Sequence, residues 1–318
     1  MSGDLKIELR NLGPSGLRVS AVGLGCNNFG GRLDLAGTRS VVHRALDAGI
    51  TLFDTSDSYG KDSGSEITLG ETLGDRRKDI VLASKFSSPL GSDERMRGAS
   101  RRYVMTAVEA SLKRLKTDWI DLYQYHKPDP LTPMEETLRA LDDLVRHGKV
   151  RYIGVSNHAA WRVVESRWLS KTAGLEGFIS CQDEYSLLER GIEKELLPAM
   201  QAHGLGLLPF FPLASGLLTG KYKKNETPPQ GTRFAGAAGF LTRYWTDASW
   251  DKIAALQAFA DQRGKTLLEL AFSWLACRPC VSSIIAGATK PEQIDANIKA
   301  ASWVLTTAEM QEVNRITA

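Results

Sequence analysis

Eight short apolar segments alternate with segments of helical periodicity along this chain. They occupy residues 21–25, 51–53, 80–83, 119–125, 150–155, 178–181, 206–210 and 282–286. Segments that are apolar throughout, rather than at alternate positions, are typical of strands that are covered on both faces. Eight such units over roughly 300 residues predict an α/β fold of the (β/α)8 TIM barrel type. A doubly wound sheet with two half-domains is the alternative.

The two ends of the chain add further elements to this pattern. Residues 7–20 are expected to form a β-hairpin, because two short strand-like runs flank the turn sequence Gly13-Pro14-Ser15-Gly16. Additional helices are expected after the last strand. Capping boxes predict helix starts at Thr132/Glu135 (with Pro133 as the first helical residue), Thr289/Glu292 and Thr306/Glu309. Since no Pro/Ser-rich linker divides the chain, we expect one domain over residues 1–318.

Composition excludes several classes of protein. The formal net charge is +3 and the basic residues are dispersed, which does not favour a nucleic-acid partner. The longest apolar stretches are too short to span a membrane, and the first residues lack the features of a signal peptide. Four scattered cysteines form no disulfide framework, and five histidines show no paired metal spacing. A soluble, cytoplasmic protein without a metal is therefore expected.

Four residues suited to proton chemistry follow predicted strand ends. Asp54, Lys85 and His126 each come at the end of a different strand, and Tyr59 lies in the loop after the first of these strands. In a parallel β/α barrel, the carboxyl ends of the strands form the functional face. We therefore expect these four side chains to share one pocket.

Such a group could reduce a carbonyl. Tyrosine is a weak acid at neutral pH, and a nearby Lys85 ammonium would shift the pKa of Tyr59 downward. Asp54 would keep Lys85 charged, and His126 would orient the substrate oxygen. Each residue alone also fits a structural role, as a turn acid, a surface aromatic, a lysine at a strand end or a loop histidine. Their coincidence at strand ends favours the catalytic interpretation.

Several motifs resemble the aldo-keto reductase family over essentially the whole chain. They are Asp54-Thr55-Ser56-Asp57-Ser58-Tyr59-Gly60, Ser65-Glu66, Leu69-Gly70, Ala83-Ser84-Lys85, residues 118–126 ending in His126, and residues 148–157 ending in Ser156-Asn157. The resemblance implies a (β/α)8 barrel that reduces aldehydes and ketones with NADPH, or sometimes NADH. It also implies that Asp54, Tyr59, Lys85 and His126 form the catalytic tetrad, with Tyr59 as the acid.

The same resemblance implies a set of cofactor contacts. They are Gly25, Cys26, Asn27, Asp54, Ser156, Asn157, Gln182, Phe210, Pro212, Leu213, Ser215, Gly216, Leu217, Lys221, Arg233, Gly287, Thr289, Lys290, Gln293 and Asn297. Those up to Gln182 match the nicotinamide end, including Ser156, Asn157 and Gln182 for the carboxamide, and Phe210 matches the aromatic that stacks on the ring. Residues from 212 to 233 match the pyrophosphate loop, and those from 287 onward match the adenosine end.

A physical argument also supports the assignment of these residues to the adenosine end. A helix that begins at Thr289 would offer free N–H groups, and Lys290 would add a full charge. This combination suits the 2′-phosphate of NADP, although a simple cap and a surface lysine are the alternative.

Two positions depart from the family pattern, because Phe211 replaces a common serine and Ala296 a common acid. The glycines of Gly23-Leu24-Gly25 lack the third glycine of a Rossmann fingerprint.

Two other functions remain open at this point. Lys85 could form a Schiff base in a barrel lyase or aldolase. The family also contains subunits that bind the cofactor with little turnover. The substrate is expected to be a small carbonyl compound, and its identity depends on the loops 86–100, 127–131 and 211–247. Cys277-Arg278-Pro279-Cys280 has redox-motif spacing but follows a helix end, which does not favour a reactive pair.

Overall fold

A β-hairpin precedes the barrel in the computed structural model, which describes residues 7–236 and 239–318. Strands β1 (Leu9–Asn11) and β2 (Arg18–Ser20) pair antiparallel, with Leu9 opposite Ser20. The turn between them contains Gly13, whose φ is 56°. A Cβ atom there would lie 2.0 Å from the Ile179 carbonyl oxygen, so only glycine lets the hairpin lie this close to the barrel.

Eight parallel strands form one sheet within the described part of the chain. They are β3 (Val22–Gly25), β4 (Leu52–Asp54), β5 (Val81–Phe86), β6 (Ile120–Tyr125), β7 (Val150–Ser156), β8 (Ser180–Gln182), β9 (Gly206–Leu207) and β10 (Ile284–Gly287). The strands follow chain order, except that β10 lies beside β3. Between β9 and β10 the sheet is joined by the hydrogen bonds from Leu207 N to Cys280 O (2.7 Å) and from Ile285 N to Pro209 O (3.0 Å). The predicted (β/α)8 barrel with its N-terminal hairpin is confirmed.

Ten α-helices surround the sheet in the described residues. They are α1 (Leu35–Asp47), α2 (Gly64–Leu73), α3 (Arg101–Leu115), α4 (Met134–Arg146), α5 (Ala160–Ala173), α6 (Leu196–His203), α7 (Asp247–Asp261), α8 (Leu267–Ala276), α9 (Pro291–Ala300) and α10 (Thr307–Thr317). Their apolar stripes face the sheet; in α4, for example, Met134, Leu138 and Leu141 are buried. Among the described residues, none of these helices combines the length and apolar character needed to cross a bilayer.

The interior of the barrel is a separate apolar layer. Leu52, Val81 and Leu122 point into it from neighbouring strands, and Leu12 and Val19 of the hairpin segment pack against them. The hairpin therefore covers the end of the barrel that lies at the amino ends of the strands.

Some predicted boundaries differ from the structure. Strand β5 runs to Phe86, so Lys85 lies within the strand rather than after it. The predicted seventh strand is reduced to Gly206–Leu207. The predicted loop 211–247 contains the short 3-10 segments Ala214–Thr219, Phe234–Gly236 and Gly239–Tyr244, and its residues 237–238 lie outside the described residues. Residues 1–6, on which the signal-peptide expectation falls, also lie outside the described residues.

The three predicted capping boxes had different outcomes. Thr306 and Glu309 form the expected box at the start of α10. The box at Thr132 is wrong, because this hydroxyl donates to Asp129 instead and Pro133 precedes the helix. The box at Thr289/Glu292 is also wrong. Helix α9 starts at Pro291, since proline fits the first helical position.

Candidate active site

A cavity of about 1300 Å³ opens at the carboxyl ends of the barrel strands. Asp54, Tyr59 and His126 line this cavity. Lys85 is fully buried directly behind Asp54 and Tyr59. The structure therefore brings together the three residues that the sequence placed at strand ends and Tyr59 from the loop after the first of these strands. The register of the sheet explains why, because Asp54 lies opposite Ala83 on β5, and Lys85 lies opposite Gln124 on β6.

The Lys85 ammonium is at the centre of the group. It donates to Asp54 Oδ2 at 2.7 Å, to the Thr55 carbonyl at 2.9 Å and to the Tyr59 hydroxyl at 3.3 Å. These three contacts use all three N–H donors of a lysine. Burial lowers the pKa of Lys85, but attraction to Asp54 and Tyr59 raises it more, so the net direction is upward. Lys85 is therefore a fixed cation.

The Asp54 carboxylate is held by donors from three strands. Its Oδ2 accepts from Lys85, and its Oδ1 accepts from the side-chain amides of Gln124 and Gln182. A buried carboxylate is stable only when its oxygens are paired and hydrogen-bonded, and this one meets that condition. Asp54 therefore anchors Lys85 beneath Tyr59.

The Tyr59 phenol accepts one hydrogen bond and keeps its own proton. Burial raises the pKa of Tyr59, the Lys85 ammonium lowers it, and Asp54 raises it again, with a net upward direction. Lys85 lowers the pKa of Tyr59 as predicted, but burial outweighs this effect, so the expected net downward shift does not occur. The phenol is protonated at neutral pH. Because the Tyr59 oxygen accepts the hydrogen bond from Lys85, the phenol proton can point into the cavity.

The His126 ring meets Tyr59 edge to face, with ring centroids 5.7 Å apart. Burial and the positive charges of Lys85 and Lys127 lower the pKa of His126 to about 2, so the imidazole is neutral. Its Nδ1 contacts the hydroxyls of Ser88 at 3.1 Å and Ser56 at 3.3 Å. The ring therefore has one nitrogen tied to the protein, and the side chain lines the cavity.

The predicted carboxamide site lies on β7 and β8. Ser156, Asn157 and Gln182 all line the cavity. Ser156 Oγ donates to the Gln182 carbonyl at 2.6 Å, and Asn157 Nδ2 donates to the His126 carbonyl at 3.0 Å. Asn157 has a left-handed backbone with φ of 61°, and its N–H donates to the buried Asp183 at 3.1 Å. The amide oxygens of Asn157 and Gln182 remain as acceptors for a ligand amide.

The predicted pyrophosphate loop offers an anion site. Ser215 and Gly216 have φ values of 59° and 104°, and the Ser215 hydroxyl is buried without a partner among the described residues. A Cβ atom at Gly216 would lie 3.3 Å from Lys221 Nζ. Arg233 crosses from this loop and donates to Asn27 at 3.4 Å. An unpaired hydroxyl, an open glycine backbone and two cations fit a phosphate group.

The predicted adenosine contacts cluster at the start of α9. Gly287, Thr289, Lys290, Gln293 and Asn297 line the cavity. The N–H groups of Thr289 and Lys290 donate to the Gln293 side-chain oxygen at 2.7 and 3.2 Å, so this oxygen serves as the cap.

One predicted cofactor residue lies elsewhere. Leu217 packs its side chain in the core between sheet and helices, and it does not line the cavity. The other residues predicted for the cofactor do line it.

Several cavity residues were missed by sequence reasoning. The most prominent are Arg32, Ser58, Ser88, Lys127, Glu184 and Arg243. Ser88 and Lys127 follow Lys85 and His126 closely in the chain, and that proximity was an available signal. The position of Arg32 depends on a contact with the Gly231 carbonyl, 199 residues away, for which no local pattern exists.

In the described part of the chain, no group of three or more His, Cys, Asp or Glu side chains is arranged to hold a metal.

The sequence matches the model of a known family over most of its length. The model of the aldo/keto reductase family matches residues 21–318. The chain belongs to the aldo-keto reductase family. The resemblance seen in its motifs is confirmed, and membership supports carbonyl reduction with a nicotinamide cofactor as the general chemistry.

Relatives of this aldo-keto reductase carry several descriptions. A probable voltage-gated potassium channel subunit beta of Oryza sativa subsp. japonica is 38% identical over 302 residues, covering 92% of this chain and 91% of the relative. The uncharacterized oxidoreductase YrpG of Bacillus subtilis (strain 168) is 37% identical over 323 residues, covering 98% and 96%. The L-glyceraldehyde 3-phosphate reductase of Escherichia coli (strain K12) is 33% identical over 327 residues, covering 98% and 92%.

Proposed function

We propose that this protein is an NADPH-dependent reductase of aldehydes or ketones, with Tyr59 as the general acid. The observation that carries this proposal is the contact of Lys85 Nζ with the Tyr59 hydroxyl at 3.3 Å, at the wall of a large cavity. This contact leaves the phenol proton free for a substrate and places a cation beside the phenolate that forms when the proton leaves. Both are requirements of carbonyl reduction.

Each residue of the tetrad has a separate role in the proposed reaction. A nicotinamide cofactor held in the cavity would supply the hydride that the carbonyl carbon needs. Tyr59 gives its proton to the carbonyl oxygen, and Lys85 stabilises the resulting phenolate. Asp54 holds Lys85 charged and in place. The neutral His126 donates a hydrogen bond to the same carbonyl oxygen and orients it.

The residues that line the cavity on either side of the tetrad would hold the cofactor. Ser156, Asn157 and Gln182 would bind the carboxamide, and Phe210 would lie against the nicotinamide ring. Ser215, Gly216, Lys221 and Arg233 would bind the pyrophosphate. The charge of Lys290 favours NADPH, and NADH remains usable because the other contacts do not involve the 2′-phosphate.

The proposal extends to the molecule as a whole. We propose that residues 1–318 act as one domain, since the family match covers residues 21–318. A cytoplasmic location is consistent with Cys26, Cys181, Cys277 and Cys280, which are all free thiols. The substrate is a small carbonyl compound, and a panel of aldehydes, ketones and sugars assayed with both cofactors would identify its class.

The variant Tyr59→Phe tests the assigned acid. It removes the donated proton and keeps the ring, so we expect kcat to fall about 100-fold or more. NADPH binding, measured by fluorescence quenching, should be unchanged. Tyr152→Phe is the matched control, because Tyr152 is only partly buried and lies outside the cavity lining. Near-normal turnover by Tyr59→Phe would overturn the assignment.

A regulatory subunit is the second candidate, because a 38% identical relative is described as a probable channel subunit. Strong quenching by NADPH, with no reduction across the whole panel, would favour it.

A Schiff-base lyase has less support. The Lys85 amine is fully buried, all its protons are donated, and its pKa is raised, so it lacks a free electron pair. Borohydride trapping of an adduct at Lys85 would reverse that conclusion.

A further inference from the structure

We propose that Ser88 is a positioning residue that fixes which ring nitrogen of His126 carries the proton, so that Nε2–H faces the cavity. The inference rests on the proposed function, because it specifies how His126 presents a donor to the carbonyl oxygen. A neutral imidazole has one N–H, and only the tautomer with the proton on Nε2 can donate toward the substrate.

The Ser88 hydroxyl acts as the donor to His126. Its Oγ lies 3.1 Å from Nδ1 and is almost fully buried. Among the described residues, this hydroxyl has no other hydrogen-bond partner. A buried hydroxyl donates to an acceptor within reach, because leaving its proton unpaired is costly. Nδ1 therefore accepts this bond, and the ring proton is on Nε2.

Ser56 touches the same nitrogen but plays a different part. Its Oγ is 3.3 Å from Nδ1, and two other groups lie within reach of its proton, the Ser58 hydroxyl at 3.0 Å and Asp57 Oδ1 at 3.1 Å. The N–H of Ser58 donates to Ser56 Oγ at 3.3 Å. Ser56 therefore presents an acceptor to His126. Without the Ser88 hydroxyl, the favourable arrangement is a proton on Nδ1 donated to Ser56, which is the opposite tautomer.

The neighbouring Ser87 explains how Ser88 reaches His126. Ser87 has φ of 92°, a conformation that residues other than glycine rarely adopt. Its hydroxyl donates to the Lys127 carbonyl and accepts from the Lys127 N–H, both at 2.9 Å. These two bonds tie the loop after β5 to the loop after β6. The strained backbone thus turns the next hydroxyl onto the histidine that precedes Lys127.

The experiment compares tautomers in the full-length protein. Histidine labelled with 15N reports the protonation of each ring nitrogen by NMR. We expect Nε2–H in the wild type and in Ser88→Thr, which keeps a hydroxyl, and Nδ1–H in Ser88→Ala. For Ser88→Ala we expect kcat to fall about tenfold, as for the loss of one hydrogen bond, with the KM for NADPH unchanged. Ser166→Ala is the control, because this buried serine bonds only within its own helix.

The outcomes separate this inference from the proposed function. A wild-type His126 that carries its proton on Nδ1, or a Ser88→Ala variant with an unchanged tautomer, overturns the role of Ser88. If the tautomer shifts as expected but the wild type reduces no carbonyl compound, the inference on Ser88 stands and the proposed reaction fails. If Ser88→Ala does not fold, the wild-type spectrum still tests whether the His126 proton is on Nε2, and a proton on Nδ1 overturns the role of Ser88.

Discussion

Gln182 donates its side-chain amide to Asp54 Oδ1 at 2.8 Å, across the inside of the barrel from β8 to β4. The same amide group contacts Gln124, which donates to the same carboxylate oxygen at 2.9 Å. Gln182 is therefore shared between the proposed carboxamide site and the Asp54–Lys85 ion pair. A change at Gln182 should disturb the stability of the ion pair as well as cofactor binding.

Gln182→Glu should be more damaging than Gln182→Leu, although glutamate has nearly the shape of glutamine. It places a second carboxylate against Asp54, whereas leucine only removes a donor. We expect Gln182→Glu to lose about 2 kcal/mol or more of unfolding free energy at pH 8. At pH 5 the introduced carboxyl is protonated and part of the loss should disappear. Urea denaturation at both pH values measures this, and equal losses for the two variants would contradict it.

Lys85→Met should destabilise the protein by about 3 kcal/mol, because it leaves the Asp54 carboxylate buried without a counter-charge. Both side chains are buried and 2.7 Å apart, so solvent does not screen the pair. The double variant Asp54→Asn/Lys85→Met removes the stranded charge and should recover part of the loss. Denaturant unfolding of the three proteins gives the comparison. A double variant no more stable than Lys85→Met would show that the charge is not the cause.

Lys290→Ala should weaken NADPH more than NADH, because only NADPH carries the 2′-phosphate that this ammonium is proposed to meet. The loss of one charged contact is about tenfold in Kd for NADPH. Fluorescence titration with both cofactors, repeated at higher salt, measures the difference. Lys299→Ala, at the other end of α9 and outside the cavity lining, is the control. Equal weakening of the two cofactors would remove the phosphate argument.

Asp57 should give the folded protein a measurable dependence on pH. Burial, and then the neighbouring Glu66, raise the pKa of Asp57 to about 7. Its Oδ2 has no partner among the described residues. The unfolded pKa is lower, so the folded state binds this proton more tightly. The stability it contributes is present at low pH and is lost as pH rises through about 7.

The variant Asp57→Asn isolates this group. Between pH 5 and 6.5 the wild type should lose up to about 1.4 kcal/mol per pH unit relative to the variant. Unfolding free energies of both proteins across this range, in the same buffers, provide the measurement. Parallel stability curves for the two proteins would mean that Asp57 is ionised throughout. Ser170→Ala, a buried polar change on α5, controls for a general effect of substitution.

The tetrad was predictable because its information is local. An apolar run that leads to Asp54, Lys85 or His126 marks a strand, and a parallel barrel brings the carboxyl parts of its strands together, even though β5 continues past Lys85 to Phe86. The proposed cofactor contacts were inferred from the family resemblance. Leu217 shows the limit of that route, since a matching position gives no side-chain direction.

Other features depend on distances that a sequence does not contain. The pKa of Tyr59 was predicted from one neighbour, and the opposite net direction follows from burial. The contact of Ser88 with His126 joins loops 38 positions apart and depends on the unusual backbone of Ser87. The start of α9 was misplaced because Thr289 fits a cap pattern, whereas in the structure the helix begins two residues later, at Pro291.

The hairpin at the amino ends of the strands limits how ligands can enter and leave the barrel. Leu12 and Val19 close that side of the barrel, and Gly13 lets the turn rest on the Ile179 backbone. Molecules bound at the tetrad therefore have no route through that end of the barrel and must use the cavity at the carboxyl ends of the strands. When two molecules occupy such a blind channel together, the deeper one has to arrive first and depart last.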